Sequence, residues 1–329
     1  MQYPLSILDL ATVGENQTVR DSLEATVVLA KVAEECGFTR VWYAEHHNMS
    51  SIASSATSVL IAHVAAHTER IRVGAGGIML PNHSPLLIAE QFGTLAELHP
   101  GRIDLGLGRA PGSDQVTQRA LRRDPAASAG FPQDVIELQG YLGAHSQVPG
   151  VEATPGKGTN VPLYILGSSL FGASLAAALG LPFAFASHFA PDALEQAVAL
   201  YREQFRPSDQ LDRPHVIAGV NVVVADTTAQ AHEHLLHAQR RRVARFLARG
   251  TKVSDEQADA LLESPAGRHV LQMMHYTAVG DPPQVRSYLD GFRQHAGADE
   301  LIVTLMSPGI ENRLRAATLL AELVTTSPT

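Results

Sequence analysis

The stretch VPLYILGSSLFGASLAAALGLPFAFASHF, Val161–Phe189, decides how the chain folds. It lies within Gly158–Pro191, a segment without Asp, Glu, Lys or Arg and long enough to cross a bilayer. Pro162, Gly167, Ser168, Ser169, Gly180 and Pro182 cut that segment into short pieces. VPLYIL and PFAFAS read as buried strands of the kind that parallel sheets contain, and FGASLAAALG between them reads as a helix. A strand–helix–strand unit replaces the membrane span, and no membrane partner is expected.

The alternation continues in both directions. LSILDL, RVWYAEHH, IRVGAGGIML, IDLGLG, PLYILG, PFAFASHF, HVIAGVNVVVA and ELIVTLMS are strand candidates separated by helix-period segments. In TVRDSLEATVVLAKVAEECG, for example, Leu23, Val27, Ala30, Val32 and Ala33 mark one apolar face and Gly37 supplies the stop. Eight such units in 329 residues predict an α/β fold, a closed (β/α)8 TIM barrel rather than an open doubly wound sheet. No composition break divides the chain, so one domain is expected over residues 1–324, with a disordered tail at 325–329. Two segments exceed ordinary connections: Arg109–Phe131 after the fourth strand, and Thr251–Pro283 between the seventh and eighth. Insertions at such places commonly form lids or substrate walls.

Composition narrows the partners. A formal net charge of −8 without a long basic run argues against nucleic acid, whose binding rests on clustered Lys and Arg. The one basic cluster, RRRVARFLAR at Arg240–Arg249, carries Val243, Phe246 and Leu247 at helical spacing and reads as the solvated face of a helix. A single cysteine, Cys36, excludes an internal disulfide and a thiolate metal cluster. No basic segment followed by a long apolar one opens the chain, so a cytoplasmic protein is expected.

Four strand ends carry residues with chemistry. Glu45, His46 and His47 close the second strand, where a barrel places its active-site mouth. Neighbouring side chains on a strand face opposite ways, so the two histidines do not share a metal, and no metal site is expected. The bland alternative sends one imidazole into the core and the other toward the helices. In VGAGGIMLP, the small residues Gly74, Ala75, Gly76 and Gly77 either admit a flat ligand or serve tight strand packing. RIDLGLGRAPGSD, Arg102–Asp114, lacks the dinucleotide-binding turn because the third glycine is misplaced after Gly106 and Gly108. Arg109 instead stands where a guanidinium grips a phosphate or carboxylate, or pairs with a nearby acid. Gly167, Ser168 and Ser169 precede the helix of the opening stretch, and form either an anion site at its amino terminus or a plain serine cap. A phosphate held between this turn and Arg109 accounts for both features.

Taken in order, LAKVAEECGFTRVWYAEHH, RVGAGGIMLP, IAEQFGTLAELHPGRIDLGLGRAPG and PLYILGSS resemble the bacterial luciferase-like flavin monooxygenase family over nearly the whole chain. The resemblance implies a barrel that binds reduced FMN at the strands' carboxyl ends. His46 would lie near the reactive edge of the flavin as the catalytic residue. Ala75, Gly76 and Gly77 would form the wall beneath the ring, with a cis peptide joining Gly76 to Gly77. Gly108 and Arg109, with Gly167, Ser168, Ser169, Leu170 and Gly172, would hold the phosphate. Light-emitting members carry a cysteine where Gly108 stands, which argues against light emission and long-chain aldehydes here.

The implied activity is oxidation of a small aldehyde- or ketone-like substrate by reduced FMN and O2. A separate NAD(P)H:flavin reductase would deliver the reduced flavin. Hydride transfer with deazaflavin F420 and flavin binding without turnover are the competing readings. The helices ATSVLIAHVAAH and SPLLIAEQFGTLAEL are apolar on more than one face. They are expected either to form a homodimer interface or to lie beneath the insertions.

Overall fold

The computed structural model describes residues 3–14, 16–110, 114–248, 251 and 253–325. Eight of its strands run parallel and close on one another: β1 (Leu5–Asp9), β2 (Arg40–Tyr43), β3 (Arg72–Met79), β4 (Ile103–Gly108), β5 (Leu163–Gly167), β6 (Phe183–Phe185), β7 (Val216–Val224) and β9 (Glu300–Leu305). Pairing of β6 with β7 and of β1 with β9 completes the ring. The helices are α1 (Val19–Glu35), α2 (Thr57–Ala65), α3 (Pro85–Leu98), α4 (Gln115–Ala120), α5 (Phe131–Leu142), α6 (Leu170–Leu179), α7 (Leu194–Gln204), α8 (Thr228–Leu247), α9 (Asp255–Glu263), α10 (Pro265–Gln272), α11 (Pro282–His295) and α12 (Gly309–Thr325). The expected TIM barrel is the observed fold.

Local sequence sets the elements in place. Thr18 caps α1 by accepting from Asp21 N–H, while the Asp21 carboxylate accepts from Thr18 N–H, so two otherwise orphaned donors are satisfied. Between β5 and β6, α6 is built almost wholly of small and apolar residues. Gly172, Ala173, Ala176 and Ala177 are buried, which lets its backbone lie close against the sheet.

The barrel interior is layered, because alternate side chains of each strand point inward. At the strands' amino ends lies a charged layer. Arg40 donates to Asp104 Oδ2 at 2.7 Å, to Glu300 Oε1 at 2.9 Å and to the Tyr164 hydroxyl at 2.7 Å. Trp42 Nε1 and Ser6 Oγ donate to the same two carboxylates. Above it sits an apolar layer of Leu8, Trp42, Ala44, Tyr164, Ala184, Ile217 and Ile302. Above that layer a cavity opens.

Several features differ from the sequence expectations. A ninth strand, β8 (Thr277–Gly280), pairs with Asn221–Val224 beyond the point where β7 leaves β6. Four residues with no apolar run give too weak a period to be recognised. The insertion after β4 contains α4 and a 3-10 turn at Pro125–Ala129, and Pro111–Ser113 lie outside the described residues. The basic cluster is only in part a solvated face: Arg245 and Phe246 are exposed, but Arg240 is tied to Asp255 and Asp259 of α9, and Arg241, Arg242 and Arg245 line a cavity. Arg249 lies outside the described residues. Of the expected tail, Thr325 still ends α12, and residues 326–329 lie outside the described residues. Among the described residues, Val59 on α2 and Leu87 and Leu98 on α3 are exposed. Among the described residues no helix is long and apolar enough to cross a membrane.

Candidate functional site

A cavity of about 930 Å³ opens at the carboxyl ends of the barrel strands. Ligand sites generally span roughly 300–1,000 Å³, and this one lies near the upper end of that range. Its floor is the apolar layer, through Leu8, Trp42, Ala184 and Ile302. Its rim is assembled from the turns after the strands and from one face of α8.

The β4 and β5 turns meet at this rim. Parallel pairing sets Gly108 opposite Leu166, which brings Arg109 beside Gly167. The Arg109 guanidinium lies 4.0 Å above the Phe171 ring in the first turn of α6, a cation–π contact. Ser169 is the residue before α6, in extended conformation, but its side chain makes no capping hydrogen bond. Plain serine capping is thus not what occupies the turn, and the first N–H groups of α6 keep their capacity to donate to an anion.

On the adjoining wall, β3 and β4 shift register between Ala75 and Ile78, and a cis peptide bond joins Gly76 to Gly77. Gly76 cannot carry a side chain without displacing a neighbour: a Cβ there would approach Leu8 Cδ1 to 2.7 Å and Trp42 Cβ to 2.9 Å. The strands thus pack tightly at the glycine run, and Gly76 and Gly77 present a bare wall to the cavity.

The three charged or ionisable residues after β2 separate. Glu45 is buried and accepts from His47 Nε2 at 2.7 Å, from His83 Nε2 at 2.9 Å and from Met79 N–H at 3.0 Å. Burial opposes its charge, yet the hydrogen bonds from His83, Met79 and His47 hold its pKa below the ordinary 4.5. Glu45 is thereby a positioning carboxylate that clamps the turn after β3. His46 lines the cavity beside Glu45 but takes no part in that clamp, and its buried Nδ1 has no hydrogen-bond partner. Burial, seconded by the charge of Arg245, lowers its pKa below 6.5 and keeps the imidazole neutral at pH 7.

Of the residues expected from sequence, His46, Gly76, Gly77, Gly108, Arg109, Gly167, Ser168, Ser169 and Gly172 all line this one cavity. Ala75 does not. The pleat that turns Gly74 and Gly76 inward turns Ala75 outward into the main core between strands and helices, where it is fully buried. Leu170 is also absent from the wall, its side chain exposed beside the α6 turn.

Sequence reasoning missed half the rim. His188, in the turn after β6, has an unpartnered Nδ1, and its pKa is pushed down to about 3 by burial, then by the nearby Arg242 charge and His46. Gly219 makes room for it, because a Cβ at that position would stand 2.3 Å from His188 Nδ1. Asn221 fixes the turn by donating to His188 O at 2.7 Å. His237, Arg241, Arg242, Arg245 and Phe246 of α8 supply the rest. A 3.6-residue stripe of His and Arg opposite the buried Val243 was the available signal, and helical spacing alone did not reveal which face looked inward.

Comparisons with known proteins agree with this geometry. The luciferase-like monooxygenase family profile matches residues 4–300. A luciferase-like monooxygenase of Escherichia coli (strain K12) is 47% identical over 302 residues, covering 91% of this chain and 90% of its own. An N-acetyl-S-alkylcysteine monooxygenase of Bacillus subtilis (strain 168) is 37% identical over 278 residues, 79% of each chain. The crystal structure of apo-MsnO8 has a TM-score of 0.88 at 35% identity, with both chains covered in full. More distant folds at 15% identity include two with named cofactors. One is the FMN complex of a type II Baeyer–Villiger monooxygenase from Pseudomonas putida (TM-score 0.73, full coverage of both chains), and the other an F420-dependent secondary alcohol dehydrogenase (0.68, 98% of each).

Proposed function

The chain belongs to the luciferase-like monooxygenase family, and from that premise we propose that it oxidises a small organic substrate with reduced FMN and O2, the reduced flavin coming from a separate reductase. The observation that carries this reading is the pairing of Arg109 over Phe171 with the uncapped first turn of α6, in the cavity that His46 also lines. Among the described residues no acidic side chain pairs with Arg109, so its charge is available to a phosphate. A bare wall at Gly76 and Gly77 suits a flat ring, and the donor set at the other end suits a dianion.

When bound, FMN supplies the redox chemistry, activating O2 with electrons it has received. The protein's own residues bind, orient and shield. Arg109, Ser168, Ser169 and the α6 N–H groups would anchor the phosphate, with Gly108, Gly167 and Gly172 letting the backbone come close. Leu8, Trp42, Ile302 and Leu166 keep the floor dry. His46, neutral and with a free Nδ1, would exchange a proton or hydrogen bond at the reacting edge. A homodimer that covers the exposed Val59, Leu87 and Leu98 belongs to the same reading.

Oxygen uptake with chemically reduced FMN, and in a parallel run with reduced F420, tests the proposal. Reduced FMN takes up O2 even without the protein, so the readout is the fate of that oxygen: with the protein present, a panel of aldehydes, ketones and thioethers should include a compound that lowers the share released as hydrogen peroxide, and reduced F420 should support no such product. His46→Ala should retain FMN binding and release most of that oxygen as peroxide even with the substrate present. Turnover with F420 and none with FMN would replace oxygenation by hydride transfer.

A further inference from the structure

The face of α8 that meets the cavity is the reverse of an ordinary amphipathic helix. His237, Ala238, Arg241, Arg242, Arg245 and Phe246 recur at helical spacing and all line the wall. Three cations thus line the cavity, Arg245 at its exposed rim, on a chain whose net charge is −8. With Arg109 and Arg313 the cavity gathers five arginines, against one lining carboxylate, Glu45, already engaged by two histidines.

The arginines are not equivalent. Arg240, which faces away, is bound by Asp255 and Asp259. Arg241 reaches Val13 O, and Arg313 stands 3.5 Å from Asp9. Arg242 and Arg245 have no acidic partner among the described residues, and Arg242 Nε is buried without any hydrogen bond. Like charges at i and i+3 repel on a helix surface, and more so when water is excluded. Burial, then the Arg245 charge, push the Arg242 pKa down to about 10, so it still carries its proton at pH 7. Thr304 Oγ1 and Ser307 Oγ, also in the wall, are buried and unpartnered too. Buried polar atoms left open in this number within one cavity ask for a ligand that accepts hydrogen bonds.

The phosphate anchor proposed above does not fill that demand. It rests on the β4 and β5 turns, whereas Arg242 lies by His188 in the turn after β6. Resting on the flavin reading, we propose that Arg242 and Arg245 form a second anion site, which binds the carboxylate of an organic-acid substrate and points its apolar end at the flavin ring. The apolar walls between the two sites, among them Leu8, Met49, Ile52 and Ile302, suit the hydrocarbon portion of such an acid. A positively lined mouth on an anionic protein also draws anions to the one place where they are bound.

Hexanoate and hexanamide have nearly the same shape and differ in charge, which makes them the probes. Calorimetric titration of each into the protein saturated with oxidised FMN should give hexanoate an advantage of about tenfold or more, the equilibrium equivalent of a hydrogen bond to a charged group. Arg242→Met and Arg245→Met should each erase that preference while the FMN affinity, titrated separately, stays within about twofold, since the interaction lost is local. Arg245 is exposed at the rim, so its variant folds even if the one at Arg242 does not. Equal affinity for the two probes, or hexanoate binding unchanged in both variants, overturns the proposal. A loss of FMN affinity matching that of hexanoate would assign α8 to the cofactor's charged tail and equally overturn it. Should FMN itself fail to bind while the α8-dependent preference for hexanoate persists without it, the anion site stands and the flavin reading falls.

Discussion

The two ends of the barrel treat buried charge in opposite ways. At the floor, Arg40 is held between Asp104 and Glu300, and each acid has further donors in Trp42, Arg72, Ser6 and His215. At the mouth, Arg109, Arg242 and Arg245 have no acid among the described residues, and His46 and His188 each keep an unpartnered Nδ1. A closed network needs nothing further and so belongs to folding, whereas open donors and acceptors in a cavity belong to a ligand.

Removing charge should therefore have opposite consequences at the two ends. Arg40→Met leaves Asp104 and Glu300 buried with their main partner gone, and is expected to cost about 3–5 kcal/mol in urea unfolding. Arg242→Met takes away an uncompensated cation, and without ligand should leave stability unchanged or raise it. Similar losses at both positions would end the distinction. A smaller effect is expected on binding rather than folding: Arg109→Ala should weaken FMN by roughly 1.5–3 kcal/mol with the melting temperature little changed. Unchanged FMN affinity would remove Arg109 from the anchor.

Acid titration separates the same regions by pH. His188 has its pKa pushed far below the unfolded value of 6.5, so the unfolded chain takes up its proton first and stability falls as pH drops below 6.5. Glu300 moves the other way relative to its burial: desolvation raises it, but the hydrogen bond from His215 and the Arg40 charge bring it below 4.5. Its stabilisation is fully present above 4.5 and is lost as pH falls through the folded value. His188→Asn should flatten the slope between pH 6.5 and 4.5 by up to about 1.4 kcal/mol per pH unit. Arg40→Met should flatten only the limb below 4.5. A single acid transition that neither variant alters would contradict the assignment.

Much of the site was legible in sequence because strand ends announce themselves. Arg109 follows a glycine-flanked run, Ser168 and Ser169 precede an apolar helix, and His46 closes a strand, so chain position alone brings them to one face of a barrel. Ala75 was misplaced because a run of small residues hides the pleat. Arg242 and Arg245 were misread because an arginine-rich helix face usually meets water, and nothing local distinguishes it from one that roofs a cavity. The floor network escaped notice for a related reason: Arg40, Asp104 and Glu300 come from strands far apart in the chain, and nothing local shows that they meet.

The amino-acid sequence determined the repeating strand–helix pattern and, through it, the closed barrel and the pole at which its turns gather, since hydrophobic period and turn residues act over a few positions. Which charges are satisfied was decided only by the tertiary structure. Closure of the ring brings Asp104 and Glu300 to Arg40, while the long excursion after β7 lays α8 across the mouth and leaves two of its arginines there without an acid. Electrostatic partnership depends on separations of a few ångströms between residues that may stand 260 positions apart, as Arg40 and Glu300 do, and no local pattern encodes that distance.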